Sequence, residues 1–265
     1  MTNQRNLVAL LAVIMLQACS FTPRQAMKPK TDLGLVKTLS SMSELNGLWE
    51  GADLIIFDID HTILEAQQVS CHSNWFYDQY EEAVKNGISE QSALDALLPA
   101  WELSQKDCLV KPVEPVTIEI IQAMQAANKK VLALTSRGKN VYHETVEQLS
   151  SLGIDFSASA PLGEYSGQAL GAGVGAFHGV IFTSDYVSKG KVLQSYLAQA
   201  GFRPKKILFI DDGLRNLTSV VEDMAKQGIE TQAFYYPRVK RTLPFWDRVQ
   251  AKLVWEQKYG PIIFR

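Results

Sequence analysis

Leu54-Ile55-Ile56-Phe57-Asp58-Ile59-Asp60-His61-Thr62 is the stretch of this chain that decides its fold. Its first four residues are apolar without alternation, which suits a strand covered on both faces, the usual setting of a parallel sheet. The run then meets two acids, Asp58 and Asp60, at positions i and i+2. In extended backbone such residues point the same way. Two carboxylates so placed repel each other unless a cation or a proton compensates. A magnesium ion is the natural compensation, because it prefers hard oxygen ligands.

Three further continuous apolar runs follow: Val131-Leu132-Ala133-Leu134, Val180-Ile181-Phe182 and Ile207-Leu208-Phe209-Ile210. Between them lie helical stripes. Val141, Thr145, Val146, Leu149 and Leu152 share one face, with Gly153 placed to close the helix. Val192, Leu193, Tyr196 and Leu197 share another, started by Ser188 and stopped by Gly201. Leu214, Leu217, Val221 and Met224 form a third, ending near Gly228. This alternation predicts an α/β fold, an open doubly wound parallel sheet with helices on both faces. Ligands in such sheets sit at the carboxyl ends of the strands.

Residues 65–113 interrupt the alternation, with a helix around Trp75 to Val84 and another around Ser92 to Lys106, interrupted or kinked near Pro99. They read as a small helical cap. The stretch 157–179, including Gly171-Ala172-Gly173-Val174-Gly175, lacks the Gly-Lys-Ser/Thr of a phosphate loop and reads as a surface loop or small hairpin.

The strand ends carry the chemistry. The second strand ends in Thr135-Ser136-Arg137, Lys189 and Lys191 open the helix after the third, and the fourth runs into Asp211-Asp212, with Asn216 following. Two acidic strand ends can face one cation across adjacent loops, and helix N-termini favour phosphate. In this order the set resembles the four motifs of the HAD (haloacid dehalogenase-like) superfamily of phosphohydrolases: Asp58-x-Asp60-x-Thr62, Thr135, Lys189 in Lys-Gly-x-x-Leu, and Asp211-Asp212. The resemblance covers roughly residues 50–235. It is nearest to bacterial HAD-like envelope lipoproteins.

The resemblance implies a magnesium-dependent phosphatase acting on a small phosphorylated substrate. Asp58 would be the nucleophile that forms an aspartyl-phosphate, and Asp60 the general acid and base. Thr135 and Lys189, rather than Lys191, would bind the phosphoryl group. Asp58, the Asp60 backbone carbonyl and Asp212 would hold the metal, with Asp211 assisting and Asn216 at the second acidic position. His61, at a variable position of the motif, is expected on the surface without a role. Trp75, Tyr77, Trp101 and Arg137 are candidates for substrate selection. The same residues also fit a phosphotransferase or mutase with this intermediate, or a silent binding protein of the same fold.

The formal net charge of -2 gives no reason to expect nucleic acid as partner. The basic tail from Arg238 to Arg265 reads as a solvated helix face. Residues 6–18, NLVALLAVIMLQA, are too short a run to span a bilayer, which takes about 20 residues. They suit a secretory leader. Leu16-Gln17-Ala18-Cys19 resembles a bacterial lipobox, so Cys19 is the expected lipidation site. The layout is a leader over 1–18, a tether over 19–31, a core over 32–64 and 114–265, and the cap between. The address is the bacterial envelope, at the outer membrane facing the periplasm. An oxidising compartment then permits a disulfide between Cys71 and Cys108. The oligomeric state is not legible.

Overall fold

Each of the four apolar runs forms a strand in the computed structural model, which describes residues 36–184, 186–242 and 246–264. The leader, Cys19 and the tether lie outside the described residues. Strand β1 (Val36–Thr38) precedes β2 (Leu54–Phe57), whose acidic end leads into the short β3 (Leu64–Ala66). Helices α1 (Ser73–Lys85) and α2 (Glu90–Gln105) follow, then β4 (Val110–Pro112), which pairs antiparallel with β3. Next come α3 (Pro115–Ala126), β5 (Lys130–Thr135), α4 (Tyr142–Ser151), β6 (Tyr165–Ser166), β7 (Gly175–Phe177) and β8 (Val180–Phe182). The rest is α5 (Lys189–Ala200), β9 (Lys206–Asp211), α6 (Leu214–Ala225), β10 (Glu230–Tyr235), α7 (Arg238–Thr242) and α8 (Arg248–Tyr259).

The main sheet runs β1-β10-β9-β2-β5-β8-β7-β6. It is parallel from β1 to β8, and only β7 and β6 at one edge are antiparallel. The glycine-rich stretch thus ends in a small hairpin. From β2 the chain moves outward through β5 to β8. It then returns to β9 on the other side of β2. This reversal places a crevice at the carboxyl ends of β2 and β9, where open α/β sheets bind ligands.

The two faces of the sheet explain why the apolar runs do not alternate. Ile55 and Phe57 of β2 join Val131, Ala133, Leu208 and Ile210 in a core shared with Ile120, Ile121 and Met124 of α3. Leu54 and Ile56 point into a second core with Leu132, Leu134, Ile207 and Phe209, covered by α5 and α6. Alternate residues of one run are buried on opposite sides, so every position must be apolar. Burying a Leu, Ile or Phe side chain is worth about 1.5–3 kcal/mol.

A third core lies among α1, α2 and α8, built on Trp75, Phe76, Leu97, Trp101, Ala251 and Trp255. The Trp75 and Trp255 rings stack with centroids 4.6 Å apart. The basic tail therefore buries one face of α8, while Arg248 and Lys252 on its exposed side pair with Asp78 and Glu82 of α1. Helix α2 runs through Pro99 without the interruption that was one of the two expectations there. Pro99 and Asp95 are both exposed residues of that helix. Among the described residues, no helix is long and apolar enough to cross a membrane.

Cys71 and Cys108 are joined by a disulfide with a Cα–Cα separation of 5.9 Å, bracing the segment that carries α1 and α2. The pair is 37 residues apart in sequence. Opening a loop of that length by Cys71→Ser with Cys108→Ser is expected to cost about 2–4 kcal/mol. Urea unfolding of oxidised wild type and the double variant measures it. Coincident midpoints would show that the bridge contributes nothing.

Candidate active site

The sheet register assembles the site. Phe57 pairs with Ile210, so Asp58 and Asp211 emerge side by side one residue later. The Asp58 N–H donates to the Ile210 carbonyl at 2.9 Å, extending the ladder to the acid itself. On the other flank Ala133 pairs with Phe57, which brings Thr135 to the same end. Beyond Asp60 the chain turns sharply, with His61 at a φ of 63° and its N–H bonded to the Leu64 carbonyl at 2.8 Å.

Asp58, Asp211 and Asp212 each offer an oxygen within 4.8 Å of the others. Three carboxylates so close need positive charge. Lys189 supplies one unit: its Nζ donates to Asp58 Oδ1 at 2.5 Å and to Asp211 Oδ2 at 2.7 Å. Burial alone would pull the Lys189 ammonium down, but Asp211 and Asp58 outweigh it and hold it above the ordinary lysine range. Asp58 remains well above the usual carboxylate range, through burial and the charges of Asp211 and Asp212, even with Lys189 beside it. Asp211 is also raised, chiefly by burial. The cluster is short of cationic charge, and its all-oxygen donor set fits a hard divalent ion.

Hydrogen bonds divide the acids by task. Asp211 is fully buried and engaged, Oδ2 by Lys189 and Oδ1 by the Gly213 N–H at 2.6 Å and Asn216 Nδ2 at 3.1 Å. Asp212 instead lines the cavity above, with Lys240 Nζ 3.1 Å and His61 Nδ1 3.7 Å from its Oδ2. Burial would raise its carboxyl, but the contacts with His61 and Lys240 hold it below the usual range. Thr62, fully buried, donates to Asp58 Oδ2 at 3.2 Å and fixes that side chain. Thr135 Oγ1 accepts the Arg137 N–H at 3.2 Å.

Lys189 and Lys191 are placed oppositely: Lys189 is 1% exposed within the cluster, while Lys191 is at the surface. The intervening Gly190 has a local reason. A Cβ there would stand 2.2 Å from the Ser219 carbonyl oxygen, so only glycine lets the start of α5 approach α6 this closely.

Arg137, a candidate for substrate selection, lines the cavity. It is buried, and it grips both oxygens of Asp60, Nε to Oδ2 at 2.8 Å and Nη2 to Oδ1 at 2.9 Å. Its Nη1 donates to Gln148 at 2.7 Å and Thr145 at 3.0 Å. Its guanidinium lies 5.4 Å from the centre of the Trp101 ring. Burial would raise the Asp60 carboxyl, but Arg137 holds it below the usual carboxylate range. Of the aromatic candidates, Tyr77 and Trp101 line the cavity and Trp75 does not. His61 is 6% exposed and lines the cavity, which corrects its expected surface position. The tight turn after Asp60 swings it inward.

Asp60, Asp58, Asp212, Thr135 and Asn216 thus share one cavity, with Lys189 and Asp211 directly behind it. The family described as "Protein of unknown function (DUF2608)" matches residues 38–258. The chain belongs to this family. A "Putative outer membrane protein" of Chlamydia trachomatis serovar D is 28% identical over 227 residues, 84% of each chain. One of Chlamydia muridarum is 27% identical over 206 residues, 77% of each. Similar solved structures are HAD-like hydrolases. One from Streptococcus pneumoniae is 13% identical, with a TM-score of 0.38 over 76% of this chain and 97% of the other. One from Bacteroides thetaiotaomicron is 13% identical, with a TM-score of 0.40 over 69% and 94%.

Proposed function

We propose that this DUF2608 protein is a magnesium-dependent phosphatase that hydrolyses a phosphomonoester through Asp58, in the bacterial envelope. The observation that carries the reading is the convergence of Asp58, Asp211 and Asp212 around Lys189 at the reversal point of a parallel sheet. Acids placed there need a cation, and a phosphate would be drawn to the same charge. A bound magnesium ion would supply electrostatic stabilisation of the transferring phosphoryl group. Asp58, Asp212 and the Asp60 carbonyl would hold it, with Asp211 behind them as an anchor for Lys189 and Asn216.

In the first step an Asp58 oxygen attacks phosphorus and the ester P–O bond breaks, the alcohol leaving as its anion and taking a proton from solvent. Thr135 hydrogen-bonds the phosphoryl oxygens and Lys189 offsets their charge. In the second step Asp60 takes a proton from water, which attacks the aspartyl-phosphate and releases inorganic phosphate. The Arg137 clamp keeps Asp60 a carboxylate, the form this step needs. Esters of acidic alcohols, which leave with little help from a proton, should therefore turn over fastest. The envelope address draws on the name carried by the chlamydial relatives. Lipid on Cys19 would provide the attachment.

The test is a screen of phosphomonoesters with purified protein starting after residue 19. Activity is expected with magnesium, lost with chelator and restored by added metal. If no ester in a broad panel turns over, the silent binding-protein reading takes its place.

The clamp makes its own prediction. Arg137→Met keeps bulk but removes the charge that chiefly opposes burial at Asp60, so that carboxyl rises. The acid limb of the pH–kcat profile, measured where hydrolysis of the aspartyl-phosphate limits the rate, should move up. A lower rate with an unmoved limb would mean that Arg137 serves the fold alone.

A further inference from the structure

The cavity above Asp58 has a volume of about 320 Å³. Ligand sites run from about 300 to 1,000 Å³, so this one suits a single ring or a short chain beyond the phosphate. Four carboxylates line it: Asp58, Asp60, Glu102 and Asp212. Three are matched by cations, Asp58 by Lys189, Asp60 by Arg137 and Asp212 by Lys240. Glu102 of α2 has no ion pair among the described residues. Its polar neighbour is Asn140 Nδ2, 3.4 Å from each carboxylate oxygen, and it lies against Gly138, where a Cβ would stand 3.2 Å from Oε1. Partial burial and the like charge of Glu144 push its carboxyl above the usual range, despite the Asn140 contact.

The same chamber is walled by Phe76, Leu98 and Trp101. Both of its lining cations already face carboxylates, so a second anionic group on a substrate would find no unmatched positive charge there. It would also meet the charge of Glu102. A positive group would complete the one unmatched acid and could rest against aromatic rings, which attract cations.

We propose that this chamber selects phosphomonoesters whose alcohol is a single ring or short chain bearing a positive charge, with Glu102 as the specificity-determining residue. The inference rests on the phosphatase reading above. It excludes bisphosphates and phosphorylated carboxylic acids as preferred substrates.

Three aryl esters that differ in the charge at the para position test it: 4-(trimethylammonio)phenyl phosphate, phenyl phosphate and 4-carboxyphenyl phosphate, each assayed with magnesium. In wild type, kcat/KM for the cationic ester should exceed that for the carboxylate ester by about tenfold or more. Glu102→Gln, which keeps the shape and the Asn140 contact, should close most of that gap. Glu102→Lys should invert the order. Leaving-group differences among the three phenols are the same in every variant, so the change in ratio reports charge at residue 102. Equal values across the series in wild type overturn the assignment without a variant being needed. A gap that persists in Glu102→Gln also overturns it, and would leave Glu102 as a tie between α2 and the loop at Asn140. In either case the phosphatase reading stands; failure of all three esters while others of the broad panel turn over removes this inference alone, and failure of the whole panel removes both.

Discussion

Asp58→Asn is expected to bring phosphoester turnover to background while the fold survives. The amide keeps the shape of the side chain and can still meet Thr62, and Lys189 keeps its contact with Asp211. What disappears is the attacking oxygen and one charge of a crowded cluster. The effect on stability should run opposite to the effect on activity. The folded Asp58 carboxyl sits above its ordinary value because burial and two neighbouring acids oppose its ionisation. A group that binds its proton more tightly folded than unfolded loses stability as pH rises from the unfolded value through the folded one. The asparagine variant has no such loss at this position. Its melting temperature without metal should match or exceed that of wild type at neutral pH, and the excess should shrink toward pH 4. Magnesium should raise the wild-type melting temperature and do less for the variant. Site residues that oppose folding in this way are a common cost of activity. Retention of the wild-type rate by Asp58→Asn on the best substrate would sink the covalent mechanism.

The residues in this prediction differ in how far the sequence announced them. Asp58 and Asp211 stand at the ends of apolar runs, and a run buried on both faces leaves no other place for an acid than the strand end. Parallel pairing of β2 with β9 then makes them neighbours, so local pattern and long-range contact coincide. Arg137 is different. Its position after Thr135 was visible, but its partner is 77 residues away, and nothing local says that a guanidinium will meet Asp60 rather than a substrate. One signal was available: Thr145 is a polar residue on an otherwise apolar helical stripe, and it receives a hydrogen bond from Arg137. His61 was misplaced because a variable position of a motif does not say where its side chain goes. Its left-handed backbone, costly for a residue with a side chain, is fixed by the Leu64 carbonyl and could not be inferred from neighbours in sequence. Lys240 and α8 belong to a tail whose charge suggested solvent. The burial of Ala251 and Trp255 depends on α1, about 170 residues earlier in the chain.

Lys189→Met should be the most damaging single change in this protein. The ammonium is 1% exposed and stands between Asp58 and Asp211, neither of which has another cation in contact among the described residues. Methionine fills similar space but leaves two buried acids facing each other. Breaking a buried pair by removing one partner costs about 3–5 kcal/mol, and here the removed partner serves two acids. The variant should unfold at markedly lower urea, with turnover lost. Because the defect is missing positive charge, magnesium should recover part of the stability by occupying the oxygens that converge within 4.8 Å. Sodium at matched ionic strength should not. Lys191→Ala is the control: that side chain is exposed, and surface changes usually stay within about 0.5 kcal/mol. Nor can the two lysines exchange roles. Gly190 fixes the start of α5 against the Ser219 carbonyl, so the helix cannot rotate to bring Lys191 inward without driving backbone into backbone. Urea midpoints with and without magnesium, alongside turnover, decide the matter. A stable, active Lys189→Met variant, or an inactive Lys191→Ala variant, would show that the acids are held together by something other than this ammonium.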